Sequence, residues 1–272
     1  MSEDGEKFGP RVNTVKRKLR SGETVLACWI STLSPVCVET LGYAGFDAAI
    51  FDAEHFPYDS YMLENLIRTA EVVGLTPIVK IPKHEKTQLL RAIDSGAMGA
   101  HFAEVETPEE AEERIKSVKY HPDGHRGLSF SHRAARHGFL ESEEYMKRAN
   151  EEMLSIIVIE SERGYRNLDA ILEVPGIDVI SIGPHDLSHS MGIPDQIKHP
   201  RMQEAFATII AKATAKGLPV GTGAWTHDMA EERVGWGMRY IHWSHDLGIF
   251  ADAATAIAKD VRELVRTKQG TR

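Results

Sequence analysis

The sequence predicts one (β/α)8 barrel over residues 1–272, with residues 1–22 forming an amino-terminal extension and helix. Three observations carry that expectation. Short apolar runs alternate with helix-patterned segments about eight times, which suits a closed barrel better than an open doubly wound sheet. The runs are continuous rather than alternating, as in parallel strands buried on both faces. Three of them break off abruptly into polar residues. Ala48-Ala49-Ile50-Phe51 runs into Asp52-Ala53-Glu54-His55, Ile156-Ile157-Val158-Ile159 into Glu160, and Val179-Ile180-Ser181-Ile182 into Gly183-Pro184-His185-Asp186. In parallel α/β proteins, ligands and catalytic groups gather at that carboxyl end of the sheet.

In chain order, residues 1–7 are acidic and lack an apolar secretory core, so the cytoplasm is the expected location. Residues 12–19 read as a basic helix closing at Ser21-Gly22, and an apolar strand follows near 25–30. Helical spacing over 35–43 stops at Gly45, and the strand ending in Asp52-Ala53-Glu54-His55 comes next. Asp59 is the expected N-cap of a helix that closes at Gly74. A β-rich run over 76–82 precedes a helix over 86–93 and the segment Asp94-Ser95-Gly96-Ala97. The fourth strand is expected over 99–105. Thr107-Pro108-Glu109-Glu110 then opens a helix with proline in its first turn and acids at the positive end of its dipole. Later strands are expected near residues 155, 179, 218 and 240, and helices over 166–172, 200–216, 227–236 and 250–268.

The exception is residues 120–152, a long loop-rich insertion between units four and five. It contains His121-Pro122-Asp123-Gly124-His125-Arg126-Gly127 and a basic segment from His132 to His137. Insertions of this length on a barrel are more often functional than idle, although one that merely packs on a neighbour would look the same.

Composition narrows the function classes. The formal charge is -8, from 32 basic and 40 acidic side chains with no polybasic block, which argues against a general nucleic-acid binder. No apolar run approaches the roughly 20 residues needed to span a bilayer, so no membrane partner is expected. Two cysteines, Cys28 and Cys37, suggest a reducing compartment and read as buried small hydrophobes.

The chemistry concentrates in Glu160 and Asp186. Each follows an apolar strand, on consecutive units, so the two carboxylates can converge above the barrel. With water and a bidentate substrate they would complete an octahedral Mg²⁺ or Mn²⁺ site; helix capping by Asp186 and a surface Glu160 is the alternative. His55, at the end of the second strand, could serve as general base or proton relay, or simply as a hydrogen-bonding structural residue among thirteen histidines. Lys80 ends the third strand, where a cation could hold a substrate carboxylate or stand solvated. Arg126 could do the same from the insertion.

These segments together resemble the HpcH/HpaI family of class II, metal-dependent pyruvate aldolases, which includes 4-hydroxy-2-oxoheptanedioate and 2-dehydro-3-deoxyglucarate aldolases. The resemblance runs from about Trp29 to Asp246. It rests on Ser34-Pro35, Ala44-Gly45-Phe46-Asp47, Asp52-Ala53-Glu54-His55, Asp94-Ser95-Gly96-Ala97, Gly124-His125-Arg126-Gly127, Ala149-Asn150, Ile159-Glu160-Ser161, Val174-Pro175-Gly176-Ile177-Asp178 and Ile182-Gly183-Pro184-His185-Asp186-Leu187-Ser188.

The resemblance implies that Glu160 and Asp186 hold Mg²⁺, Mn²⁺ or Co²⁺, and that a 2-oxo acid is cleaved from, or joined to, an aldehyde. His55 would transfer the proton, with Asp52 beside it and Asp94 as its acidic partner. Ser181, Gly183 and Pro184 would lie beside the substrate. Asp94 precedes the fourth strand, on the face opposite Glu160, so it would act only in an adjacent chain; the family's hexamers, built of dimers that swap their last helix, would supply one. Three departures fall around the substrate. Lys80 stands where the family has arginine, Val158 where it has glutamine, and His101-Phe102-Ala103-Glu104 replaces an apolar-proline ending. Lysine keeps the charge but loses the planar two-pronged hydrogen bond. Lys80 also raises the rival of a Schiff-base aldolase, which needs a lysine of lowered pKa. A different 2-oxo acid condensation or decarboxylation, or a non-catalytic homologue that binds a small acid, stays open on the sequence.

Overall fold

The computed structural model describes residues 11–269, so the acidic stretch at residues 1–7 lies outside the described residues. Eight parallel strands close in sequence order: β1 (Val25–Ile30), β2 (Ala48–Asp52), β3 (Thr76–Lys80), β4 (Gly99–Phe102), β5 (Leu154–Ile159), β6 (Val179–Ile182), β7 (Val220–Ala224) and β8 (Tyr240–His245), which returns to pair with β1. This is the (β/α)8 barrel that the sequence predicts.

The continuous apolar runs divide their side chains between two cores, because successive residues of a strand face opposite ways. Outward residues such as Ala49, Phe51, Val79, Ile157 and Ile159 pack beneath the helices. Inward residues such as Ala48, Ile50, Ile78, Leu154 and Ile156 fill the barrel's lower interior. The helix α1 (Thr14–Arg20) stoppers the amino-terminal mouth, with Val15 and Leu19 joining that interior cluster. Lys16 fixes it there by donating to the Met153 carbonyl at 2.6 Å and pairing with Asp178 at 2.9 Å, both at the entrances to neighbouring strands.

The outer helices follow their sequence signals closely: α2 (Pro35–Tyr43), α3 (Ser60–Val72), α4 (Lys86–Ser95) and α5 (Pro108–Ser117). Asp59 caps α3 by accepting from the Met62 N–H, and Thr107 caps α5 by accepting from that of Glu110. The fourth strand stops at Phe102, earlier than expected, because Glu104 adopts a left-handed φ of 53°. The insertion is more ordered than loop-rich. A short 3-10 turn (Arg133–Gly138) and a helix, α6 (Ser142–Glu152), enclose a small core of Tyr120, Ala135 and Tyr145.

The helix expected over 166–172 is two short ones, α7 (Glu162–Arg166) and α8 (Leu168–Ile171), the first capped by Ser161. A further short helix, α9 (Pro184–Ser190), follows β6. The series ends with α10 (Pro200–Ala215), α11 (His227–Gly235) and α12 (Asp246–Gln269). From residue 250 onward α12 is exposed, and Ile257, Val261, Leu264 and Val265 line one face at helical spacing. Cys28 is buried as expected, whereas Cys37 is only half-buried in the first turn of α2, and both thiols are free. Among the described residues no helix is long and apolar enough to cross a membrane.

Candidate active site

At the carboxyl rim, β2 and β3 end side by side, with Asp52 paired in register with Lys80. Asp52 is buried, and its Oδ1 accepts from the N–H groups of Glu54 and His55, each at 3.1 Å. The carboxylate thereby pins the turn that presents His55, whose side chain is 63% exposed and whose Nε2 lies 3.8 Å from Glu54 Oε2. Glu54 turns inward, and its Oε2 lies 2.7 Å from Lys80 Nζ. Burial alone would lower the Lys80 pKa, but the charges of Glu160, Glu54 and Asp52, with a hydrogen bond to Glu54, outweigh it and hold the pKa above its ordinary value. Lys80 is therefore held as a cation, which argues against the Schiff-base alternative, since that needs a lysine of lowered pKa. Asp52, Glu54 and His55 offer ligand atoms within 4.8 Å of one another, close enough to hold a cation, although Lys80 already pairs with Glu54 there.

Across the rim, Glu160 follows β5. Its Oε1 accepts from the Glu104 backbone N–H at 2.6 Å, so the left-handed Glu104 turn serves to aim that donor. Its Oε2 faces Gly183, where an added Cβ would stand only 2.9 Å from the oxygen. Burial raises the Glu160 pKa; the Lys80 charge and the Glu104 N–H oppose this, and the negative charges of Asp186 and Glu54 add to it. A buried carboxylate crowded by other acids, with one oxygen fixed and the other against a glycine, is suited to a cation. Asp186 lies exposed in the first turn of α9, close enough for its charge to act on Glu160. Pro184 begins that helix. The Gly183 N–H is taken by the Ile159 carbonyl, so Gly183 contributes space rather than a donor, and Ser181 is buried one step deeper.

Beneath the rim lies a layer of aromatic and imidazole rings. Trp29, His101, Tyr240 and His242 meet with ring centroids 5.3–6.1 Å apart. Burial, together with the charge of Lys80, lowers His242 to about 3 and also holds His101 well below its ordinary value, His242 adding to the effect there, so both rings are neutral. Of this layer only His101 stands out in the sequence, among the departures near the substrate, and the sequence assigns Glu54 no role. A signal for the layer was present, since His101 and His242 each follow apolar residues within their strands.

Arg126 is not at this rim. Its guanidinium is buried, stacks on the Tyr120 ring at 4.4 Å and pairs with Asp94 Oδ1 at 2.6 Å. Asp94 belongs to the last turn of α4, which brings the chain back to the amino-terminal end of the barrel. The expectation that Arg126 holds substrate is corrected for its own subunit: the insertion carrying it packs against the ends of α3 and α4, where Arg133 reaches Glu71 and the Ser95 carbonyl. Asp94 lies on this face, as its place before the fourth strand implied.

A closed barrel whose carboxyl rim gathers acids, a buried lysine and an exposed histidine has the layout of a barrel enzyme acting on small molecules. Comparison makes the class specific. Residues 26–253 match the HpcH/HpaI aldolase/citrate lyase family, and the chain belongs to that family. It is 33% identical over 246 residues to a 5-keto-4-deoxy-D-glucarate aldolase of Shigella dysenteriae serotype 1, covering 90% of this chain and 95% of the relative. It superposes on an HpcH/HpaI aldolase/citrate lyase family protein of Burkholderia cenocepacia with a TM-score of 0.87 at 31% identity, over 92% of this chain and 100% of the other. An HpcH/HpaI aldolase of Desulfitobacterium hafniense gives 0.86 at 27% identity, over 91% and 96%. The family that the sequence motifs resemble is thus the right one.

Proposed function

We propose that the chain is a divalent-metal-dependent carbon–carbon lyase that cleaves or forms a bond between a 2-oxo acid and an aldehyde, as in a (4-hydroxy-)2-oxo acid. One observation carries the reading: the buried Glu160, its Oε1 held by Glu104 and its Oε2 given room by Gly183. Glu160 and Asp186 would hold the ion, their hard oxygens suiting Mg²⁺, Mn²⁺ or Co²⁺. A bound divalent cation supplies Lewis acidity toward the ketone and carboxylate oxygens of the 2-oxo acid. Lys80, its charge fixed, binds the substrate carboxylate, and Glu54 holds the ammonium in position. His55 moves the proton at the hydroxyl of the bond being broken, on a turn kept in place by Asp52. Ser181, Gly183 and Pro184 wall the substrate. Asp94 would serve a neighbouring subunit of a homohexamer, for which the bare apolar face of α12 offers a surface. The acid-sugar name of the relative favours a polyhydroxylated substrate.

The test uses oxaloacetate and a 4-hydroxy-2-oxo acid with and without Mn²⁺ and EDTA. Pyruvate release should require the metal, and Glu160→Gln and Asp186→Asn should each lower kcat by about 100-fold, the loss of about 3 kcal/mol of charge stabilisation. Lys80→Met should raise KM for the 2-oxo acid. Turnover indifferent to EDTA and to both carboxamide variants would sink the proposal.

A further inference from the structure

In the ring layer, one buried donor lacks an acceptor. Trp29 donates its Nε1–H to His242 Nδ1 at 2.9 Å. A nitrogen that accepts carries no proton, so the neutral His242 ring carries its proton on Nε2. Nε2 is buried and has no hydrogen-bond partner among the described residues. Buried donors in native proteins are nearly always paired, so one left open points to a ligand or an ordered water.

The strand register shows where that donor sits. Ile159 pairs with Ile182, Ile182 with Thr222, and Gly223 with His242. One residue further along β5 and β6, Glu160, Gly183, Gly223 and His242 share a level on four successive strands. The two strands between the acid and the imidazole each contribute a glycine and no side chain. An added Cβ at Gly183 would crowd Glu160 Oε2 at 2.9 Å, and one at Gly223 would come within 3.3 Å of His242 Cε1. Trp225 lies over Gly223, 2.8 Å from that same added Cβ, and stacks edge-on with His185. At this level β6 and β7 carry no side chain of their own between Glu160 and His242, and the Glu160 and Trp225 side chains lie against the two glycines.

We infer that His242 is a specificity-determining substrate contact: its Nε2–H donates to a hydroxyl oxygen that the 2-oxo acid carries beyond its carboxylate and ketone, which favours hydroxylated 2-oxo acids over pyruvate. The inference rests on the lyase reading of the rim. A neutral donor matches a neutral acceptor, whereas a second carboxylate would be buried against His242 with no cation of its own. Trp29 is a positioning residue, because its N–H selects the tautomer.

The experiment compares hydroxypyruvate with pyruvate as carbon donor to one aldehyde, in the Mn²⁺-loaded wild type, His242→Leu and His242→Gln. The wild type should favour hydroxypyruvate by about tenfold or more in kcat/KM, since a site built for a hydroxyl rejects the analogue that lacks it. His242→Leu should collapse that ratio, and His242→Gln, which keeps a donor, should restore part of it. In ¹⁵N-histidine spectra of the wild type, hydroxypyruvate should shift the Nε2 resonance of His242 and pyruvate should not, a readout that survives misfolding of either variant. An unmoved ratio with an unmoved Nε2 signal overturns the contact, and means that water alone satisfies the donor. A moved Nε2 signal without turnover of either acid keeps the contact and refutes the lyase reading instead.

Discussion

Replacing Gly183 with alanine tests the site at its tightest point. The backbone there, φ −91° and ψ 89°, suits alanine, so no conformational strain enters. The cost is steric. The new Cβ would lie 2.7 Å from Glu160 Cβ, short of optimal carbon–carbon separation by about 0.8 Å. If Glu160 retreats by that amount, its 2.6 Å bond from the Glu104 N–H stretches to the limit of hydrogen bonding. A charge-assisted hydrogen bond is worth about 1.5–3 kcal/mol, and overpacking costs about 1–3 kcal/mol. Because retreat relieves the clash at the expense of the bond, the two do not add in full, and about 2–3 kcal/mol is expected. At roughly 2–4 °C per kcal/mol, Tm should fall by about 5–10 °C in a calorimetric scan, with loss of metal-stimulated turnover. Gly235→Ala is the control: nothing lies within 4 Å of its added Cβ, and a gain of about 0.4–1 kcal/mol is expected. Equal Tm and equal turnover in Gly183→Ala and wild type would refute the packing of Glu160 against Gly183.

Further outcomes follow from the same geometry. Glu160 has its folded pKa raised above the ordinary 4.5, so the stability it contributes is full below that value and is lost as pH rises through the folded pKa. Only the ionised carboxylate takes a cation; the rise in Tm on adding Mn²⁺ should therefore grow from pH 5 to pH 7 and shrink sharply in Glu160→Gln, and a pH-independent rise would contradict the assignment. Lys16→Met should lower stability by about 3 kcal/mol in urea titrations, because Asp178 and the Met153 carbonyl lose a buried partner, and an unchanged midpoint would mean that α1 does not close the barrel floor. Ile257→Glu with Leu264→Glu should reduce the assembly to smaller species in light scattering if the bare face of α12 is an intersubunit contact; an unchanged mass would exclude it.

The sequence by itself determined the barrel and most of the rim. Strand runs at Ala48, Ile156 and Val179 are apolar on both faces because each strand lies between the barrel interior and the helices, and they end where water begins. Asp52, His55, Lys80, Glu160 and Asp186 could be named because their polarity breaks those runs. Caps at Asp59 and Thr107 were legible because they act over three residues.

What only the tertiary structure decided involves partners distant in sequence. The Lys80–Glu54 pair, the 56-residue reach from the Glu104 N–H to Glu160, and the bond from Trp29 to His242 across the seam that closes the barrel depend on curvature and register. Arg126 was misplaced for the same reason. Its charge and flanking glycines suggest an anion site, yet the insertion folds toward the barrel's other end, where Asp94 and the Tyr120 ring neutralise and cover it. A sequence records which residues are polar at the end of a strand; closure of the sheet determines which of them face one another.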